Sequence, residues 1–152
     1  MQDGDTRHCS FTQASLRALQ QIHNKLLRLL LGHGYETPTL QLLEESNMLS
    51  VNQLIAYSVI TTLFKIKQSK EPLYLANRLG FINNSNTRGR SCDRQHDINI
   101  DFRLATSREG FMYQAGKCWN SLPLDLKLEI RGKVFKTRLH EWIKLNIVPI
   151  PH

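Results

Sequence analysis

The sequence predicts a mainly α-helical single domain with one small antiparallel β-hairpin before the last helices. Three observations predict it. The chain has 152 residues, inside the ~100–200 typical of one domain. Apolar residues recur at helical spacing through three long stretches, whereas 97–102 alternates polar and apolar, the period-two signal of a half-buried strand. Hydrophobic residues make up 41% and charged residues 22%, a mix that can build a core and is unlike that of a disordered tail.

The first helix runs from about Phe11 to Leu31. Ser10 with Gln13 fits a capping box, each side chain satisfying a free amide at the helix start. At 100° per residue, Leu16, Leu19, Ile22, Leu26, Leu27, Leu29 and Leu30 share an arc of roughly 160°. Arg17, Gln20, Gln21, Asn24, Lys25 and Arg28 occupy the opposite arc. Gly32 follows, a residue able to end the helix in the left-handed conformation. Thr37-Pro38 opens a shorter helix to about Ser46, with Thr37 as cap and Pro38 at the first helical position. Ser50 and Gln53 form another capping box, starting a third helix to about Gln68. Its apolar residues (Val51, Leu54, Ile55, Tyr57, Val59, Ile60, Leu63, Phe64 and Ile66) go nearly all the way round, so it is predicted to be buried on most faces. Pro72 starts a further short turn of helix through Ala76.

Residues 83–95 lack apolar side chains and are rich in turn formers, which predicts an exposed loop. Asp97-Ile98-Asn99-Ile100-Asp101-Phe102 is expected as a strand, Ser107 to Gly110 as a turn, and Phe111-Met112-Tyr113 as the returning strand. A short helical element around Gln114–Trp119, a turn at Asn120-Ser121-Leu122-Pro123 and a last helix from about Gly132 to Asn146 complete the chain. The expected organisation is a flexible N-terminus (1–12), a helical subdomain (13–80), a mobile basic loop (81–96), the hairpin with C-terminal helices (97–147), and a tail (148–152).

No uncharged apolar run approaches the ~18–20 residues needed to cross a bilayer, and the start, Met-Gln-Asp-Gly-Asp, is unlike a secretory signal. Three cysteines (Cys9, Cys92 and Cys118) are too few for a disulfide scaffold. These features lead us to expect an intracellular protein of nucleus or cytoplasm that binds no membrane.

Formal net charge is +7, from 20 Lys+Arg and 13 Asp+Glu. Residues 1–60 hold 4 basic and 5 acidic groups, a net of −1; residues 61–152 hold 16 basic and 8 acidic, a net of +8. This asymmetry suggests a polyanion partner for the second half. On the last helix Lys133, Lys136, His140 and Lys144 fall within about 80° of arc, opposite Phe135, Leu139, Trp142 and Ile143. Arg88, Arg90 and Arg94 crowd the loop, where guanidinium groups can clamp phosphates. Lys65, Lys67 and Lys70 add charge at the end of the third helix. The expected nucleic-acid-binding residues are therefore Lys133, Lys136, Lys144, Arg88, Arg90, Arg94, Lys65 and Lys67, acting through backbone phosphates without sequence readout. The alternative is a structural or protein-interaction module whose basic face is only solvated.

Enzymatic chemistry finds little support. Asp97 and Asp101 share a strand face but stand about 13 Å apart at a strand's rise, whereas two catalytic metals sit ~3.5–4 Å apart with ligands converging between them. They are read as solvated carboxylates. Cys92-x-x-x-His96 has a plausible zinc spacing, with Cys118, His8-Cys9 or His140 as paper partners, yet structural zinc wants four ligands, commonly as two close pairs; no metal is expected. The chain has no Gly-x-Ser-x-Gly nucleophile motif and no phosphate-binding glycine loop. His23, inside the apolar arc of the first helix, is read as a hydrogen-bonded core residue. Trp119, Trp142, Phe64, Tyr57 and Phe135 are read as core side chains, with Trp119 anchoring the last helices. We expect no cofactor and no catalytic residue.

Several segments resemble one family in order and spacing. They are Leu16 with Gln20-Gln21-Ile22, Lys25 and Leu27-Arg28; Thr37-Pro38-Thr39-Leu40 with Leu43; Leu49-Ser50-Val51-Asn52-Gln53-Leu54 with Tyr57; and Pro72-Leu73-Tyr74-Leu75. Phe111-Met112-Tyr113, Trp119-Asn120-Ser121-Leu122-Pro123, and Phe135-Lys136 with Leu139 and Trp142-Ile143 follow. The chain resembles, over roughly Gln13 to Ile147, the C-terminal, post-palm region of reverse-transcriptase polyproteins of jockey-like non-LTR retrotransposons. The Trp-Asn-Ser-Leu-Pro block followed by Phe-Lys is its most specific part. The resemblance implies a truncated piece of an RNA-directed DNA polymerase that holds RNA or DNA through its backbone, with upstream reverse-transcriptase domains as a further partner. The catalytic Asp residues such a polymerase needs are missing here: the sequence contains no Asp-Asp pair. No enzymatic activity is expected of this chain alone.

Overall fold

The computed structural model describes residues 13–79, 97–98 and 111–146. The Ser10 cap, the loop carrying Arg88, Arg90, Cys92, Arg94 and His96, Asp101, and the tail at 148–152 lie outside the described residues.

Helix α1 spans Gln13–Leu31. Gly32 takes a φ of +70° after it, and His33 N donates to Arg28 O at 2.9 Å. Helix α2 spans Thr39–Ser46 with Pro38, rather than Thr37, in the cap position. Thr37 instead turns its carbonyl to Arg28 Nη2 at 3.0 Å. Asn47 closes α2 in the left-handed conformation, which asparagine tolerates better than most side chains.

Helix α3 spans Val51–Ser69, and the expected capping box is present at Ser50 and Gln53. Helix α4 (Leu73–Arg78) follows Pro72. Helices α5 (Phe111–Asn120), α6 (Leu124–Leu128) and α7 (Gly132–Leu145) complete the described chain.

Helix α3 is the axis of the fold, packing against α1, α4, α5 and α7. This follows from its nearly all-round apolar composition: Ala56, Val59, Ile60, Leu63, Phe64 and Ile66 are all buried. Phe64 stacks on Phe135 of α7 with centroids 3.9 Å apart, and Phe135 stacks in turn with Trp119 of α5 at 6.4 Å. Trp119, Phe135, Leu139 and Ile143 are fully buried, as the core reading requires. Helices α3 and α7 run antiparallel. Gln53 Nε2 donates to Ile143 O at 3.1 Å near the start of α3, and Gln68 Nε2 donates to Ile130 O at 3.3 Å near its end.

The protein is mainly α-helical, but the hairpin is not seen: no strand occurs among the described residues. Phe111-Met112-Tyr113, expected as the returning strand, forms the first turn of α5. The reason lies downstream. Ala115, Cys118, Trp119 and Leu122 recur at helical spacing and are all buried, so docking on α3 extends the helix back through three residues with no alternating pattern of their own. Ile98 is an isolated bridge residue held by a side chain, with Asn120 Oδ1 accepting from Ile98 N at 2.8 Å and Asn120 Nδ2 donating to Ile98 O at 3.0 Å. The rest of the expected first strand (99–102) and its turn lie outside the described residues.

Helix α1 reverses part of its expected orientation. Leu16 and Leu27, along one edge of the apolar arc, are buried, but Leu19, Ile22, Leu26, Leu29 and Leu30 face solvent. Polar residues from the other arc line the junction. Gln20 Oε1 accepts from Val51 N at 2.9 Å, Gln20 Nε2 donates to Asn24 Oδ1 at 2.8 Å, and Asn24 Nδ2 donates to Thr39 Oγ1 at 2.8 Å. These bonds satisfy the free amide at the start of α3 and tie α2 to α1, which an apolar face could not do. His23 is also corrected. Both ring nitrogens are buried, but neither has a hydrogen-bond partner.

Candidate nucleic-acid interface

The expected basic residues that the structure describes divide into three groups. Lys65, Lys133 and Lys136 are exposed. No carboxylate among the described residues pairs with them. Lys65 directly follows Phe64 and Lys136 directly follows Phe135, the two stacked rings. On antiparallel helices the residue after each facing position turns to the same side, because both helices are right-handed and are traversed in opposite senses. Lys65 and Lys136 therefore flank the same edge of the α3–α7 contact. Lys133, one turn before Lys136 on α7, extends the strip toward the start of that helix.

Lys144 and His140 lie farther along α7 and are tethered. Lys144 Nζ donates to the Asn47 side-chain carbonyl, and the His140 ring meets Tyr57 edge-on at 6.3 Å. Both are only partly exposed.

Lys67 is turned away from the strip and into the protein. Its ammonium donates to Lys127 O at 2.7 Å and sits 5.5 Å from the centre of the Trp119 ring. Burial, then the nearby Lys127 charge, hold its pKa below the ordinary lysine value. A position late in α3 turns Lys67 toward Lys127 of α6 and Trp119 of α5, so it does not serve the outer face that its sequence neighbourhood suggests. Arg88, Arg90 and Arg94 lie outside the described residues.

Sequence reasoning misses the most enclosed charged pair. Lys127 Nζ donates to Asp97 Oδ1 at 2.7 Å and to Asn120 O at 2.9 Å, with the lysine side chain only 4% exposed. Asp97, expected as a solvated strand carboxylate, is a buried ion-pair partner. The alternation at 97–102 carries no information about a lysine thirty positions away. The nearest available signal is the uncharged block before Lys127, whose residues build the surroundings. Trp119 and Leu122 are buried, Ser121 Oγ donates to Cys118 O at 2.8 Å, and Pro123 caps α6. The Trp-Asn-Ser-Leu-Pro block is thus a folding device that joins α5 to α6 and clamps Ile98.

Among the described residues, no group of three His, Cys, Asp or Glu side chains comes together as metal ligands would. No single described helix is long and apolar enough to cross a membrane. Cys118 is buried in the α3–α5 contact and desolvation pushes its thiol up to about 11, a range in which a cysteine is a poor nucleophile. Compared with known proteins, the chain matches no family model, no curated protein and no solved structure.

Proposed function

We propose that this chain binds the sugar-phosphate backbone of RNA or DNA, performs no chemistry itself, and represents the post-palm region of a non-LTR retrotransposon reverse transcriptase. The observation that carries the binding reading is the strip of Lys65, Lys136 and Lys133. Three exposed ammonium groups, without carboxylate partners among the described residues, on one edge of the α3–α7 contact form a surface suited to consecutive phosphates. Lysines reach phosphates as point charges, so such a surface gives affinity without base readout. The retrotransposon assignment rests on the order and spacing of the motifs, chiefly Trp119-Asn120-Ser121-Leu122-Pro123 before Phe135-Lys136.

Titration of a fluorescent single-stranded RNA and a DNA duplex across salt concentration tests the binding reading. It predicts an affinity that falls linearly with salt on logarithmic axes and a slope reduced by about 2 in Lys65→Gln/Lys136→Gln, since each lost phosphate contact removes ~0.9 in duplex DNA. An absence of binding at ~50 mM salt, or an unchanged slope in the double variant, rejects it.

A further inference from the structure

Helix α1 carries a second surface, independent of the basic strip. Leu19, Ile22, Leu26 and Leu29 are spaced three, four and three residues apart, the alternation of a coiled-coil seam. Leu30 widens it. All five side chains are solvent-exposed, from 41% at Leu19 to 82% at Leu29. The opposite side of the helix is already engaged, through Leu16, Gln20, Asn24 and Leu27, with α2 and α3. The seam is therefore not a misplaced core face awaiting α2 or α3.

We propose that this seam pairs with the same seam of a second copy of the chain, the two α1 helices lying parallel. Three features favour a second copy. The repeat is self-complementary: under a parallel two-fold each leucine or isoleucine meets its own counterpart, Leu26 against Leu26. The area is sufficient, because the five side chains expose on the order of 500 Å² per copy and a pair buries about 1,000 Å² from them alone, the lower bound of specific interfaces. The charges are compatible. Helix α1 has no acidic residue and three basic ones; Arg17 and Arg28 project roughly opposite the seam, leaving Lys25 at its rim. Parallel pairing sets Lys25 of one copy beside Leu30 of the other, where the aliphatic stem can cover apolar surface. Antiparallel pairing would bring the two Lys25 residues together.

Light scattering of the full chain after size exclusion at ~100 µM, where even a minimal-area interface should be populated, tests the proposal. A dimer is expected for the parent and for Tyr74→Glu, an exposed apolar position on α4. A monomer is expected for Leu26→Glu and for Leu29→Glu, with parental helicity by circular dichroism because neither side chain supports the core. In a Cys9→Ser/Cys92→Ser background, Leu26→Cys should form an intermolecular disulfide on mild oxidation. A monomeric parent, a dimer that survives both glutamates, loss of the dimer in Tyr74→Glu, or a dimer that does not cross-link at position 26 overturns it. None of these readouts involves nucleic acid, so this proposal and the binding proposal fail separately.

Discussion

Lys127 and Asp97 form a buried ion pair, Nζ to Oδ1 at 2.7 Å, whose lysine also donates to Asn120 O. The same Asn120 clamps both polar backbone groups of Ile98 with its side chain. Through these contacts the segment at 97–98 is fastened to the α5–α6 junction.

Removing one member of the pair leaves the other buried without a counter-charge. Asp97→Ala should lower unfolding free energy by about 3–5 kcal/mol, measured by urea denaturation. The double change Asp97→Ala/Lys127→Met should recover much of that loss, since it removes both charges together. A double variant as unstable as the single one would show that the ion pair is not the source of the loss.

Trp119→Ala should cost ~3–5 kcal/mol. The ring is fully buried and stacks with Phe135, so its loss opens a cavity between α5 and α7. A melting temperature within a degree of the parent would contradict that position.

Lys67 and Lys136 are predicted to separate cleanly. Lys136→Gln should weaken RNA or DNA binding with little effect on stability, because its ammonium is exposed. Lys67→Gln should leave nucleic-acid affinity unchanged and lower stability by roughly 1–3 kcal/mol, since its inward hydrogen bond to Lys127 O is lost. Parallel binding and melting measurements on the two variants check this, and equal losses of affinity would reject the inward placement.

Burial raises the Cys118 thiol from 9.0 to about 11. Between those values the unfolded chain has released the proton while the folded chain keeps it, so the folded state binds more protons and stability falls as pH rises. The stability advantage of the parent over Cys118→Ala should therefore shrink from pH 9 to pH 11. Denaturation of both proteins across that window measures it, and a constant difference would rule out the linkage.

Gln20→Ala should destabilise the α1–α3 junction by about 1–3 kcal/mol, because Val51 N loses its acceptor at the start of α3. Chemical denaturation reads this out. A neutral result would mean that water replaces the amide.

Features that depend on neighbours within a turn or two are legible in the amino-acid sequence. The Ser50–Gln53 box, the left-handed Gly32, the buried α3 and the inward Phe135, Leu139 and Ile143 of α7 all follow from local hydrogen bonding and helical spacing. The Lys136 side of α7 is legible for the same reason. Contacts made across the chain are not. Phe111-Met112-Tyr113 has an ambiguous local preference, and its helix comes from docking on α3. Lys67 turns inward to a carbonyl of α6 sixty residues away, and Asp97 is enclosed because Lys127 arrives from thirty residues away. Helix α1 shows the limit most plainly. Its periodicity announces an apolar face, but periodicity is a property of one helix, whereas burial is a property of two surfaces. Which face is covered was decided by Val51 N and Thr39 finding Gln20 and Asn24.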